Sequence, residues 1–265
     1  MNQTLAIANQ KGGVGKTTTC VNLAASLVSN GRRVLLVDMD PQGNATVGSG
    51  VDKDTLEASN YELLMGEASA RSVRCREVRG GFDLLPANGD LTAAEVGLMA
   101  AGEGREKRLQ TAIATCRDDY DHILIDCPPS LNLLTLNAFV AADHVLIPIQ
   151  CEYYALEGLS ALLNTIHRIQ QTVNPALEIE GLVRTMFDGR NNLSNQVGAQ
   201  LLAHFPGQVY RTQIPRNVRL AEAPSHGLPV LQYDRSSRGA VAYLALAAEL
   251  LRRQRAAGAD AGGLR

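Results

Sequence analysis

ANQKGGVGKTTTCVN, residues 8–22, decides how the rest of the chain is read. Its centre fits the spacing GxxxxGK[ST], except that Gln10 stands where the first glycine belongs and an additional lysine, Lys11, follows it. Gly12, Gly13 and Gly15 let the backbone bend close to an anion, so that successive N–H groups and the start of the next helix point at phosphate oxygens. On this spacing the stretch from Gly12 through Val14 to Thr18 cradles phosphates, Lys16 reaches the β- and γ-phosphates, and the Thr17 hydroxyl ligates Mg²⁺. The flanks agree: LAIAN (5–9) is a short apolar run, and TTTCVNLAASLVSNG carries apolar residues at helical spacing and stops at Gly31. The local order is strand, loop, helix.

The same alternation continues outward. RVLLVDMD (33–40), FDLLPAN (82–88), HILIDCPPS (122–130), HVLIPIQ (144–150) and IEGLVRTMF (179–187) are rich in Val, Ile and Leu without clean alternation, as expected of strands buried on both faces of a parallel sheet. Helical stretches lie between them at 105–117, 131–142 and 155–173. Strands alternating with helices imply right-handed crossovers and an α/β, doubly wound, mostly parallel sheet with helices on both faces. A ligand then belongs at the carboxyl ends of the strands. The expected organisation is one domain over residues 1–255, followed by a disordered Ala/Gly-rich tail, AAGADAGGLR (256–265).

Composition narrows the classes. A chain of 265 residues, 45% apolar and 20% charged, buries a sizeable core. Cys20, Cys75, Cys116, Cys127 and Cys151 follow no disulfide framework or CxxC spacing, which points to a reducing cytoplasm. No window approaches the apolar length of a membrane helix, so a soluble protein is expected. A net charge of −2 supplies no global attraction to nucleic acid. The charge is uneven, however. Between Arg184 and Arg255 ten arginines face only Asp188, Glu222, Asp234 and Glu249, which suggests one basic face on an otherwise acidic chain.

Phosphate chemistry needs two further groups. A carboxylate ending a buried strand holds the Mg²⁺ water shell, and Asp126, after HILI, fits. A group that positions the attacking water is also needed; Asp40 in DMDPQGNAT is the candidate, and it is counted with Thr17 and Asp126 in the expected metal set. Asp38 is the alternative, and reads equally as a strand-end or helix-capping carboxylate. Asn44 and Thr46 lie where a mobile switch would follow, and read either as γ-phosphate sensors or as turn residues.

KGGVGKTTT, VDMDPQGNAT and LIDCPPS, in this order and spacing, resemble the deviant Walker A family of P-loop ATPases, and specifically ParA-type chromosome-partitioning ATPases. TMFDGRNNLSNQV and IPRNVRLAEAPSHG resemble the same branch, so the likeness runs from about residue 3 to 250. It implies a slow, partner-stimulated ATPase that uses ATP and Mg²⁺, with Lys11, Lys16 and Asp40 as the catalytic set. Lys11 would cross a two-fold interface to the ATP of a second subunit, making an ATP-dependent homodimer. A cation from each chain offsets the repulsion between two facing triphosphates, which gives that role a physical reason. The resemblance further implies non-specific binding to double-stranded DNA through Arg190 and Arg219, with Arg235 and Arg238 added by proximity. It implies a ParB-type centromere-binding partner, a nucleoid-associated location in the cytoplasm, and Pro215 and Asn217 over the adenine; Pro215 reads equally as a strand end. The MinD branch acts on membranes through an amphipathic terminal helix. Here AVAYLALAAELLRRQR has a mainly Ala/Leu apolar face, which reads as a packed helix, so no membrane partner is expected. A positioning ATPase of that type, or one with another cargo, remains the alternative.

Overall fold

β1 (Gln3–Ile7), β2 (Val34–Asp38), β3 (Asp83–Leu85), β4 (His122–Asp126), β5 (His144–Gln150), β6 (Glu178–Phe187) and β7 (Val209–Pro215) form a single sheet in the order β3-β2-β4-β1-β5-β6-β7. Every neighbouring pair is parallel. The computed structural model describes residues 2–262, with side chains as far as residue 256. β2 and β4 are buried along their whole length, the consequence of apolar runs covered by helices on both faces.

One face is covered by α1 (Lys16–Ser29) and, near the end of the chain, by α10 (Val218–Glu222), α11 (Val230–Tyr233) and α12 (Arg238–Gly262). Ala240, Tyr243, Leu246, Ala247 and Leu250 of α12 are buried in this layer, and α12 lies against both α1 and β7. The terminal helix thus packs on the domain along one stripe, as its Ala/Leu pattern predicts. It continues through Gly262, into the segment expected to be disordered; residues 263–265 lie outside the described residues. The opposite face carries α3 (Asn60–Met65), α4 (Ala70–Val73), α5 (Leu91–Ala100), α6 (Arg108–Ala114), α7 (Leu133–Ala141), α8 (Ala155–Thr172) and α9 (Asn192–His204). α2 (Asn44–Gly48) follows β2 directly.

Two differences from the sequence reading have physical causes. β7 is not among the expected strands: VYRTQIP is an edge strand with three polar, at least partly exposed residues, Arg211 to Gln213, in its middle, and its pairing with β6 is irregular. Edge strands lack the continuous apolar run that marks the inner ones. The expected helix over 105–117 is shorter, α6 being bracketed by single turns at Arg105–Lys107 and Arg117–Asp119.

The register sets up the site. β4 lies between β1 and β2 and aligns Ile7, Asp126 and Asp38 in one row at the carboxyl ends of three adjacent strands. β1 is also where the strand order reverses, since the chain goes to β2 on one side and to β5 on the other. That is the crevice in which an open α/β sheet binds its ligand.

Candidate nucleotide site

The loop after β1 is held by its own glycines and by two side chains. Gly13 and Gly15 take φ of +74° and +88°, and Gly15 is the residue that enters α1. A side chain at either would be strained in that left-handed region. Asn9 is buried; its Oδ1 accepts from the Lys11 N–H at 2.9 Å and its Nδ2 donates to the Pro148 carbonyl at 2.8 Å, tying the loop to β5. From the other side Thr185 Oγ1 donates to the Val14 carbonyl at 2.7 Å, tying it to β6. Neither Asn9 nor Thr185 was singled out in the sequence, although Asn9 falls inside the quoted stretch.

The two lysines of the motif point to different places. Lys16, the first residue of α1, is buried, and its Nζ lies 3.4 Å from the Lys11 carbonyl, folded back inside the loop. Lys11 is exposed and its Nζ pairs with Glu152, just past the end of β5. Gly12 stands exposed beside it. One lysine belongs to the cradle and the other to the surface.

Beneath the loop, Asp126 is fully buried. Burial, then the nearby Asp38 carboxylate, pushes its pKa up to about 8, while the Thr17 hydroxyl and the Cys20 thiol pull the other way. The thiol contacts Oδ1 at 3.4 Å, and Oδ2 has no hydrogen-bond partner. A buried carboxylate oxygen without a donor is costly unless something positive meets it. The orphaned oxygen, the Thr17 hydroxyl, the glycine cradle and the buried Lys16 together fit the phosphates of a nucleotide with Mg²⁺.

Asp38 and Asp40 separate clearly. Asp38 is fully buried, accepts from the Thr46 N–H and Thr46 hydroxyl at 2.8 Å each and from the Asp40 N–H at 3.2 Å. Burial raises its pKa to about 6 against those hydrogen bonds. It fastens the start of α2 to β2, the helix-capping reading of this residue. Thr46 is buried with it and also accepts from the Ala87 N–H at 2.9 Å, which ties the start of α2 to the segment after β3. Asn60 Nδ2 donates to the Asp38 carbonyl, 2.6 Å away, and completes the clamp. Asp40 is only half-buried and accepts from the Gln42 N–H at 3.0 Å. Asn44 is exposed and lines a cleft of about 290 Å³ together with Thr17 and Thr18.

A second cleft, about 170 Å³, opens on the other side of the loop between Gly15, Thr18, Ile214, Pro215, Asn217 and Tyr243. Pro215 closes β7 and Asn217 caps α10, accepting from the Leu220 N–H at 3.2 Å. Pro215 therefore ends a strand and also walls an apolar slot beside the phosphate loop. Met186, on the rim of the same slot, takes a φ of +47°, a conformation that costs a non-glycine residue about 1 kcal/mol or more.

The arginines divide. Arg190 is 91% exposed and pairs with Asp188 at 2.9 Å. That pairing, with a smaller contribution from Arg238, holds the Asp188 carboxyl down at about 2. Arg219 pairs with Glu222 at 2.8 Å and Asp234 at 3.4 Å, beside exposed Arg235 and Arg238. Arg190 and Arg238 thus both act on Asp188, and Arg219 lies against Asp234, next to Arg235 in the chain. Arg184, by contrast, is buried, donates to the Tyr210 carbonyl at 3.2 Å and stacks on Phe187. Arg253 lies over the Tyr210 ring and pairs with Glu249. The basic face expected from the charge count is therefore smaller than ten arginines, because two of them are structural.

Residues 2–179 match the family model described as an AAA domain. The chain is 52% identical over 250 residues to the sporulation initiation inhibitor protein Soj of Bacillus subtilis, an alignment covering 94% of this chain and 98% of that protein. It is 50% identical over 253 residues to the chromosome partitioning protein ParA of Caulobacter vibrioides, covering 95% and 94% respectively. Among solved structures it resembles cobyrinic acid a,c-diamide synthase from Mycobacterium smegmatis with bound ADP and magnesium, at a TM-score of 0.84, 41% identity and 96% coverage of each chain. Likeness of this degree over nearly the whole length, joined to the glycine loop, its two lysines and the paired strand-end aspartates, places the chain in the ParA/Soj family of P-loop ATPases.

Proposed function

We propose that this chain is an ATP-dependent dimerisation switch that binds double-stranded DNA non-specifically and hydrolyses ATP to drive chromosome or plasmid partitioning with a ParB-type partner. One observation carries the reading: the two lysines of the loop do different things, Lys16 lying buried in the cradle over Asp126 while Lys11 stands on the surface, paired only to an exposed carboxylate. A lysine so placed is available to a second subunit, and an exposed ion pair is worth about 1 kcal/mol at most, so it yields readily to a triphosphate.

The mechanism follows from what each residue can do. The N–H groups from Gly12 to Thr18 and the buried ammonium of Lys16 hold the phosphates of ATP, with the adenine in the slot between Pro215 and Asn217. Thr17, with Asp126 and Asp40, would hold Mg²⁺, which would supply charge neutralisation as the γ-phosphoryl leaves. Lys11 leaves Glu152 and reaches the partner subunit's phosphates, which closes the dimer. Asp40, half-buried and free of the clamp that holds Asp38, orients the attacking water. No strongly activated base stands at the site, so basal turnover is slow, and a basic peptide from the ParB-type partner at the dimer seam accelerates it. In the closed dimer the exposed arginines Arg190, Arg219, Arg235 and Arg238 are presented twice, which suits contacts to DNA phosphates on the nucleoid without reading bases.

The test is retention of non-specific duplex DNA without nucleotide, with ADP and with ATP, for the wild type and Asp40→Ala side by side. Retention only with ATP, prolonged in the variant, is the expected result. Absence of retention in every state at low salt would remove the DNA reading, and liposomes or a small-molecule substrate would then be the surfaces to try.

A further inference from the structure

At the amino-terminal end of the sheet, opposite the nucleotide site, the turn before β2, the segment after α4, the start of β3 and the turn before β4 enclose a cleft of about 410 Å³. Arg32, Arg33, Arg71, Arg74 and Arg76 line it. Three carboxylates, Glu77, Asp83 and Asp119, also face it, which leaves a net positive charge. Two of those carboxylates are already engaged. Asp119 pairs with Arg71 at 2.9 Å, and Asp83 accepts from the Glu77 N–H at 2.9 Å and from the Tyr120 hydroxyl at 2.7 Å.

The guanidinium groups are less well served. Arg74 is only 6% exposed at its side chain; one terminal nitrogen meets the Tyr120 oxygen and lies 3.5 Å from Asp83, but its Nε is buried with no acceptor. Arg32 Nε is likewise buried without a partner. Among the described residues neither Arg32 nor Arg76 has a carboxylate partner within ion-pair distance. A buried N–H left unpaired costs about 1–3 kcal/mol, and here two belong to arginines that line one cavity. Glu77, at the rim, holds a φ of +45°, a strained conformation for a residue with a side chain.

We infer that this cleft is a second anion site, distinct from the glycine loop, which takes a ligand carrying a pyrophosphate-like group on Arg32, Arg74 and Arg76. Planar guanidinium forks pair with phosphate oxygens two at a time, and Arg32 and Arg76 bring to the cleft forks that, among the described residues, no carboxylate holds. The cleft is of the size that holds small ligands.

The test is equilibrium dialysis of radiolabelled inorganic pyrophosphate against the full chain saturated with ADP, so that the glycine loop is occupied. The wild type retains label at low salt, Arg32→Ser with Arg76→Ser weakens retention by about tenfold or more, and Lys16→Ala leaves it unchanged. A thermal melt checks that the double variant is folded; if it is not, Arg76→Ser alone is used, since that side chain is exposed. No retention by the wild type overturns the proposal, as does retention that Lys16→Ala abolishes and the arginine variants do not. A short DNA duplex in a second arm separates the sources of phosphate. Displacement of the label by the duplex assigns the cleft to backbone phosphates, and its persistence assigns it to a free anion.

Discussion

Arg184 and Arg219 stand 35 residues apart in the same Arg-rich stretch, yet one is 6% exposed with its guanidinium on a main-chain carbonyl and an aromatic ring, while the other sits half in solvent between two carboxylates. The same contrast separates Asp38 and Asp126, in the floor of the site, from Asp40 on its rim. Arg184 and Asp38 are held by a fixed set of neighbours, and their loss is felt by the fold. Exposed charges have weak, exchangeable partners, which leaves them available to a ligand, a nucleic acid or a second subunit.

The sharpest way to break that division is at Lys16. It is the one buried ammonium of the loop, so Lys16→Ala is expected to lower ATP turnover by about a thousandfold, the scale seen when a preorganised charge is removed from a transition state. Steady-state phosphate release measures it; a loss of less than tenfold would mean that this lysine is not part of the cradle.

Glu249 extends the test to stability. Its carboxylate joins α12 to β7 by accepting from the Arg211 and Thr212 N–H groups at 2.9 Å each and from the Thr212 hydroxyl at 2.7 Å, with Arg253 alongside at 3.1 Å. Replacing it by Ala is expected to cost about 3 kcal/mol in chemical denaturation, because three donors lose a buried charged partner. Burial pushes the Glu249 pKa up, but the hydrogen bonds outweigh that and hold it below the ordinary 4.5. A carboxylate whose proton affinity is lower folded than unfolded stabilises the fold at pH above 4.5 and loses that contribution as pH falls through the folded value. Melting temperatures of wild type and variant should therefore converge in acid. Parallel curves down to the lowest pH would contradict the assignment.

At the arginines the two classes can be set directly against each other. Arg219→Glu is expected to weaken DNA retention by about tenfold at low salt, and to leave melting temperature and ATP binding unchanged. Arg184→Met should do the reverse, lowering the melting temperature with little direct effect on DNA. If Arg184→Met weakened DNA retention more than Arg219→Glu, the distinction between structural and contacting arginines would fail. The smallest effect belongs to Glu152→Gln. Freeing Lys11 from an exposed pair should raise the ATP-dependent dimer fraction by about two- to threefold, measured by light scattering at matched concentration.

How much was legible before the fold was known follows from the same physics. The inner strands announce themselves because burial on both faces demands unbroken Val, Ile and Leu; β7, at the edge and irregularly paired, does not. The phosphate loop is legible because a left-handed turn against an anion needs glycines at set spacing. Asp126 is legible as the acid that ends a buried strand. The division of labour between Asp38 and Asp40 was open in the sequence, and Thr46 read either as a γ-phosphate sensor or as a turn residue. In the structure it is locked between Asp38 and the Ala87 N–H, partners 8 and 41 residues away.

The sequence by itself determined the inner strands and their alternation with helices, the glycine loop with its second lysine, and the acids at strand ends, since each depends on residues close together in the chain. Only the tertiary structure decided that Asp126 keeps an oxygen without a partner, that Asn9 and Thr185 pin the loop, that Lys11 rests on Glu152, that Arg184 belongs to the interior, and that Arg253 lies on the Tyr210 ring. Those properties arise from neighbours brought together across the sheet. Burial and hydrogen-bond partners belong to a residue's surroundings and not to its place in the chain, and they decide whether a charge holds the protein together or remains free to act.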